Sequence, residues 1–211
     1  MRITKYEHAN FVVELDGKNL VVDPGGYSTS LPALNNVVAI VVTHEHADHW
    51  TADQLTRILD RNPGVPIFGP AGFAAAAEGF DVTVVTGGDK ADASPFHLAF
   101  YGTTHAVIHS SIPLVDNVGV LINDTIYHPG DSYTVPPVPV DVLGVPSSAP
   151  WLKIGEVMDF IAEVKPRRSF ALHEMVNSDI GNTMARARIA SATEAAGGQF
   201  LPLVAGESIE L

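Results

Sequence analysis

Six consecutive residues, His44-Glu45-His46-Ala47-Asp48-His49, carry three imidazoles and the Asp48 carboxylate, a density of donors suited to divalent metal. On backbone that is still nearly extended, side chains two apart point the same way, so His44 and His46 can share one ion. Asp48 and His49 come after the chain begins to turn, and can face a second ion beside the first. Neutral imidazoles with a hard carboxylate oxygen suit Zn2+, and Mn2+ or Fe2+ are compatible with the same donors.

Such a cluster needs a rigid support, and the flanking residues supply one. Val37-Val38-Ala39-Ile40-Val41-Val42-Thr43 is an apolar, β-branched run that reads as a buried strand, so the ligands leave a strand end. Trp50 to Asp60 reads as a helix. Upstream, short strands are predicted over Arg2 to Tyr6, Asn10 to Leu15 and Asn19 to Val22, with Asp16-Gly17 as a hairpin turn. Asp23-Pro24-Gly25-Gly26 then breaks the sheet. Downstream, strands are predicted near Val82 to Val85, Phe96 to Tyr101, Val118 to Ile122, Thr125 to Tyr127, Val140 to Val145 and Ser169 to Leu172. Helices are predicted at Ala71 to Glu78 and Lys153 to Val164, and a last helix is capped by Asn182 and ends at Gly197-Gly198.

The pattern His44-x-His46-x-Asp48-His49 resembles the metallo-β-lactamase superfamily, and the similarity extends from Asp23-Pro24-Gly25 to His173. Gly130-Asp131-Ser132 follows a strand-like Thr125-Ile126-Tyr127-His128, and His173 ends the apolar run Ser169-Phe170-Ala171-Leu172. Val140-Asp141-Val142-Leu143-Gly144-Val145-Pro146 and Lys165-Pro166 resemble the branch holding ascorbate-phosphate lactonase-like and related hydrolases. The resemblance implies an α+β fold, a four-layer αββα sandwich formed by residues 1–211 as one domain. It also implies two divalent ions: His44, His46 and a third His on the first, Asp48, His49 and His173 on the second, and Asp131 bridging. His105 and His109 both follow the strand-like Phe96 to Tyr101 and either can be that third His, with the position directly after the strand favouring His105.

The activity implied is hydrolysis of a small ester, lactone or phosphoester by hydroxide formed between the ions, with Asp48 orienting it and His109 or Tyr133 protonating the leaving group. An iron-dependent redox member of the fold and a non-catalytic metal-binding protein are the alternatives. His46 stands where the diiron branch has Glu, which counts against the first of them.

Other residues carry weaker readings. His8, in Glu7-His8-Ala9-Asn10, resembles a Gly-His turn near the site of this branch, with Glu7 in place of the glycine; a hydrogen-bonded structural His is the competing reading. Asp23 reads as a partner that fixes the ligand loop, or as an ordinary strand-ending Asp. Trp50 reads as a core anchor, Trp151 as pocket lining, Arg167 and Arg168 as solvated, and Ala74 to Ala77 as a close-packing helix face.

Composition sets the outer bounds. With 211 residues, 46% hydrophobic and 17% charged, the chain can build a substantial core. A net charge of -12 with only 12 Lys and Arg argues against nucleic acid as a partner. Two divalent ions would outweigh two carboxylates and a hydroxide, so a small anionic substrate stays compatible with the site. No membrane span or signal peptide is read from the sequence, which makes a cytoplasmic address the expectation, with self-association left open. The absence of cysteine removes disulfides and thiolate ligands.

Overall fold

The computed structural model describes residues 1–29 and 31–211. Two seven-stranded sheets face each other. The first has the order β14-β1-β2-β3-β4-β5-β6, from Arg2–Lys5 (β1), Phe11–Leu15 (β2), Lys18–Val22 (β3), Val37–Val41 (β4), Ile67–Gly69 (β5), Val82–Val84 (β6) and Ser208–Glu210 (β14). The second has the order β13-β12-β11-β10-β9-β8-β7, from Lys90–Ala93 (β7), Phe96–Tyr101 (β8), Gly119–Ile122 (β9), Ile126–His128 (β10), Val142–Pro146 (β11), Arg168–Leu172 (β12) and Gln199–Phe200 (β13). Each sheet is antiparallel on one side and parallel on the other, changing over at β3 and at β10.

Alternation along the strands divides the core into three. Phe11, Val13, Val22, Val41, Phe100, Ile122, Phe170 and Leu172 point inward and fill the space between the sheets. On the outer face of the first sheet, Val12, Val21, Ile40 and Val42 meet Leu55 and Ile58 of helix α1 (Ala52–Arg61) and Phe73 of helix α2 (Ala71–Ala76). On the outer face of the second, Leu121, Tyr127, Leu143 and Val145 meet Val157, Phe160 and Ile161 of α3 (Ile154–Val164) and Ile189 of α4 (Asp179–Ala195). The result is the αββα sandwich, and β4 reads as an unbroken apolar run because both its faces are covered.

Several expected boundaries move. Thr51, whose side chain accepts from the Gln54 N–H, caps α1, so Trp50 lies outside the helix and packs against Phe73 at its ring edge. Ser178, not Asn182, caps α4 by accepting from the Gly181 N–H, and Asn182 falls inside the helix. The second helix stops at Ala76, where only Phe73 within it is buried, and Ala75 and Ala76 face solvent rather than packing closely. Arg168 is not simply solvated: its guanidinium bonds the Asp141 carboxylate at 2.5 Å, while Arg167 is exposed. Asp16 and Gly17 form the expected tight turn, both with positive φ.

Candidate metal centre

Every candidate ligand follows the C-terminal end of a strand. The end of β4 leads into residues 43–49, β8 into His105, β10 into Asp131 and β12 into His173. Two antiparallel steps separate β8 from β10, so both run the same way and deliver their loops to the same edge. Ligand positions are therefore a property of the topology, as in other sheets whose sites lie beyond carboxyl strand ends.

The loop after β4 is held from below. Asp23, fully buried with a left-handed backbone (φ 47°), ends β3 and accepts four hydrogen bonds. The donors are the Thr43 N–H at 2.8 Å, the Thr43 hydroxyl at 2.9 Å, His49 Nδ1 at 2.7 Å and His128 Nε2 at 2.8 Å. Burial opposes ionisation of Asp23, yet His49 and His128 hold its pKa well below the usual carboxylate range. Gly25 has no room for a side chain, because a Cβ there would stand 1.7 Å from the Asp48 carbonyl oxygen. Gly26 donates its N–H to the Ala47 carbonyl at 2.8 Å, completing the cradle.

A second clamp sets Asp131. The Asn117 amide accepts from the Asp131 N–H at 3.0 Å and donates to the Pro129 carbonyl at 2.9 Å, spanning Gly130 with its φ of 64°. A third holds His173, itself at φ 64°, through the buried pair of Lys5 with Glu174, the residue that follows it. Burial lowers the Lys5 pKa, and the Glu174 carboxylate opposes that fall.

These supports gather the expected residues. His44 Nε2 and His46 Nδ1 lie 3.1 Å apart, and with His105 they place one nitrogen each within 4.8 Å of one another. His8, Asp48, His49 and His173 form a second group on the same criterion. Asp131 reaches both: its Oδ2 lies 3.3 Å from His105 Nε2 and 3.2 Å from His173 Nε2, and its Oδ1 lies 3.3 Å from His49 Nε2. His109 is not among them. It is exposed, and its Nδ1 accepts the Ser111 N–H at 3.1 Å.

The tautomers point one way. His105 Nδ1 donates to the Ala106 carbonyl at 2.5 Å, His173 Nδ1 to the Ser148 carbonyl at 2.5 Å and His49 Nδ1 to Asp23. Each ring therefore turns its Nε2 inward, the arrangement that second hydrogen bonds impose on metal-binding histidines. Those three Nε2 atoms and Asp131 Oδ1 are buried without a hydrogen-bond partner among the described residues. Unpartnered polar atoms in such numbers are costly unless a cation completes them, so the donor set fits divalent metal.

Charge balance agrees. Burial would depress His49 and His173, but Asp131 and its neighbouring carboxylates outweigh it, raising His49 well above its ordinary value and His173 to about 9. His44 and His46 move the other way, lowered by burial and by neighbouring imidazoles. Asp131 and Asp48 stay ionised against burial because His173, His49 and, for Asp48, His8 surround them.

Several contributors were partly read from the sequence or not at all. His8 is buried at φ 59°, bonds Asp48 Oδ2 through Nε2 at 3.1 Å, and lends its carbonyl to the His173 N–H at 3.0 Å. Trp151 is more than wall: its indole N–H donates to Asp131 Oδ2 at 2.9 Å. Tyr133 lies against Trp151, ring centres 5.2 Å apart, and burial raises its pKa. Asn117, His128, Lys5 and Glu174 act through contacts far apart in the chain, which no local spacing announces.

Comparison with known proteins agrees with this architecture. Residues 2–173 match the family model described as a beta-lactamase superfamily domain. The chain belongs to that superfamily, whose members of this metal-binding kind are the metallo-β-lactamase fold proteins. Protein Rv0786c of Mycobacterium tuberculosis is 33% identical over 181 residues, covering 83% of this chain and 85% of its own. A UPF0173 metal-dependent hydrolase of Caldivirga maquilingensis is 31% identical over 136 residues, 59% of this chain and 57% of its own. The fold is shared with Igni18, a metallo hydrolase of Ignicoccus hospitalis, at a TM-score of 0.73 and 19% identity over 99% of this chain and 97% of that one.

Proposed function

We propose that the protein is a hydrolase that uses two divalent ions on a small ester, lactone or phosphoester. The observation that carries this reading is the convergence of buried, unpartnered Nε2 atoms of His49, His105 and His173 on the Asp131 carboxylate. His44, His46 and His105 would hold one ion, Asp48, His49 and His173 the other, and Asp131 would touch both. Bound there, Zn2+ or, on the same donors, Mn2+ or Fe2+ acidifies water toward a pKa of ~7 and polarises the bond under attack.

The chain's own groups do the rest. Asp48, partly open to solvent and steadied by His8, is placed to orient the attacking water. Trp151 and Asn117 fix the rotamer and backbone of Asp131, so its oxygens face the histidines and no reorganisation is needed. His109 lines the same cavity as His46 and His105, so in its imidazolium form it is the favoured proton donor to the leaving group. Tyr133, kept protonated by burial, is the second candidate and stands behind Trp151.

A cytoplasmic setting without nucleic-acid or membrane partners belongs to the same proposal; the net charge of -12 supports it, and among the described residues no helix is long and apolar enough to cross a membrane. Metal-free protein reloaded with Zn2+, Mn2+ or Fe2+ tests the function. Elemental analysis should find two ions per chain, with pH-dependent turnover of 4-nitrophenyl acetate, δ-valerolactone or bis(4-nitrophenyl) phosphate. Protein that takes up no ion overturns the metal assignment, and loaded protein inert toward all three substrates overturns the hydrolase.

A further inference from the structure

Beside the His44, His46 and His105 group a cavity of about 370 Å3 opens, with His46 and His105 on its floor and Val107, Ile112, Pro113 and Leu114 in its wall. No Lys, Arg, Asp or Glu is among the described residues lining it. The neighbouring cavity of about 500 Å3, across Ala106 to Ile108, has one cation, Lys153, and that ammonium is bonded to Glu156 at 3.1 Å. Neither wall offers a free positive side chain to an anionic substrate.

The loop that forms the wall is itself unusual. Residues 102–118 join β8 to β9 with no helix or strand of their own, tied at the base by a bridge between Thr104 and Asp116. Connections of such length are uncommon unless they bind something. Along this loop Val107, Ile112 and Leu114 are 66%, 46% and 54% exposed, large aliphatic side chains left in water beside a polar floor. Apolar surface next to a few convergent polar groups is the composition of a small-molecule site, and the volume falls in the range of ~300–1,000 Å3 typical of one.

Resting on the hydrolase reading above, we infer that the substrate is a neutral ester or lactone whose aliphatic acyl chain lies on Val107, Ile112 and Leu114 while its carbonyl stands over His46 and His105. The same wall favours an uncharged aliphatic group over a charged one at the position away from the ions, because it has no ion-pair partner to offer there. Hydrolysis then adds water across the acyl C–O bond: the acyl carbon gains the hydroxide and the alkoxide gains the proton, so an ester leaves as an acid and an alcohol and a lactone opens to one hydroxy acid.

The experiment has two arms. In the first, the metal-loaded protein is given 4-nitrophenyl esters from acetate to octanoate. The expected kcat/KM rises about threefold to fourfold per added methylene until the cavity is full. Leu114→Asp should flatten that rise, the octanoate losing at least tenfold more than the acetate, and because Leu114 is exposed the fold should survive; Val107→Asp provides an independent check. In the second arm, octan-1-ol is titrated onto the metal-free protein by saturation-transfer NMR, with saturable binding expected and loss of it in Leu114→Asp. A flat ester series with no octanol binding overturns the acyl assignment while leaving hydrolysis itself standing. Octanol binding without turnover of any ester or lactone overturns the hydrolase reading and the substrate assignment with it.

Discussion

The floor and the mouth of the site are built by opposite means. On the floor, Asp23, Thr43, His49, His128, Asn117 and Asp131 are buried and tied into place by hydrogen bonds on the sides away from the centre, so a change at one unpairs several. At the mouth, residues 107–114 are mostly exposed, and their aliphatic side chains have few partners within the chain. Under the proposed function, the contrast assigns holding ions and choosing substrate to separate parts of the molecule, one buried and mutually tied and the other exposed with few partners.

The comparison is easiest to break at its deepest point. Asp131→Asn removes the charge that touches His49, His105 and His173, and turnover should fall by about 10²- to 10³-fold or more, while the thermal midpoint moves little. Steady-state kinetics beside a melting curve would show it, and normal rates would mean that the bridge lies elsewhere. Next comes Asp23→Ala, which leaves Thr43, His49 and His128 without their shared acceptor. Metal affinity should weaken by ~10–100-fold, read by chelator competition, and unchanged affinity would show that the floor does not orient the ligands.

Protonation sharpens the contrast further. In the metal-free protein His173 titrates at about 9, and His49 is raised as well. Below that pH an ion must displace protons, so apparent affinity should strengthen by up to about tenfold per pH unit for each proton released between pH 6 and 9, then level off. The stability of the metal-free fold runs the other way. A raised folded pKa stabilises most below the unfolded value of 6.5, and that contribution is lost as pH rises through about 9. Calorimetry should therefore show stability of the metal-free protein falling between pH 6.5 and 9 while that of the metal-loaded protein stays nearly level, because the gain in affinity offsets the loss; parallel slopes would contradict the assignment of His173. The smallest effect belongs to the mouth: His109→Ala should keep the full complement of ions, whereas His105→Ala should lose metal, as should His46→Ala, and elemental analysis of the three variants decides it.

How much of this was legible before folding follows the same division. The residues from His44 to His49 announce themselves because they are adjacent in sequence and follow an apolar run. His105, Asp131 and His173 were reached through resemblance to a family pattern, and only its place directly after the strand favoured His105 over His109; in the fold one ring turns inward at the strand end and the other faces solvent. The αββα layering was reached through the same resemblance, whereas single strands such as Phe96 to Tyr101 were legible as runs. Strands β5, β7, β13 and β14 were not: each is four residues or fewer and, unlike the equally short Val82-Thr83-Val84 of β6, has no run of β-branched residues, so the neighbour it pairs with orders it. The roles of Lys5 and Asn117, and the bond from Trp151 to Asp131, escaped for a related reason. Their partners lie 169, 14 and 20 residues away, at distances only the finished topology sets.

Neither sheet owns the whole ligand cluster: His44, His46, Asp48 and His49 come from the first, and His105, Asp131 and His173 from the second. The centre is thus a seam, and ions held in it would stitch two layers that otherwise meet through hydrocarbon and a few polar contacts such as His128 with Asp23 and Lys5 with Glu174. Any disturbance that prises the layers apart should spill the cations before either layer melts, so that on gentle heating a chelating dye would colour ahead of the loss of circular dichroism.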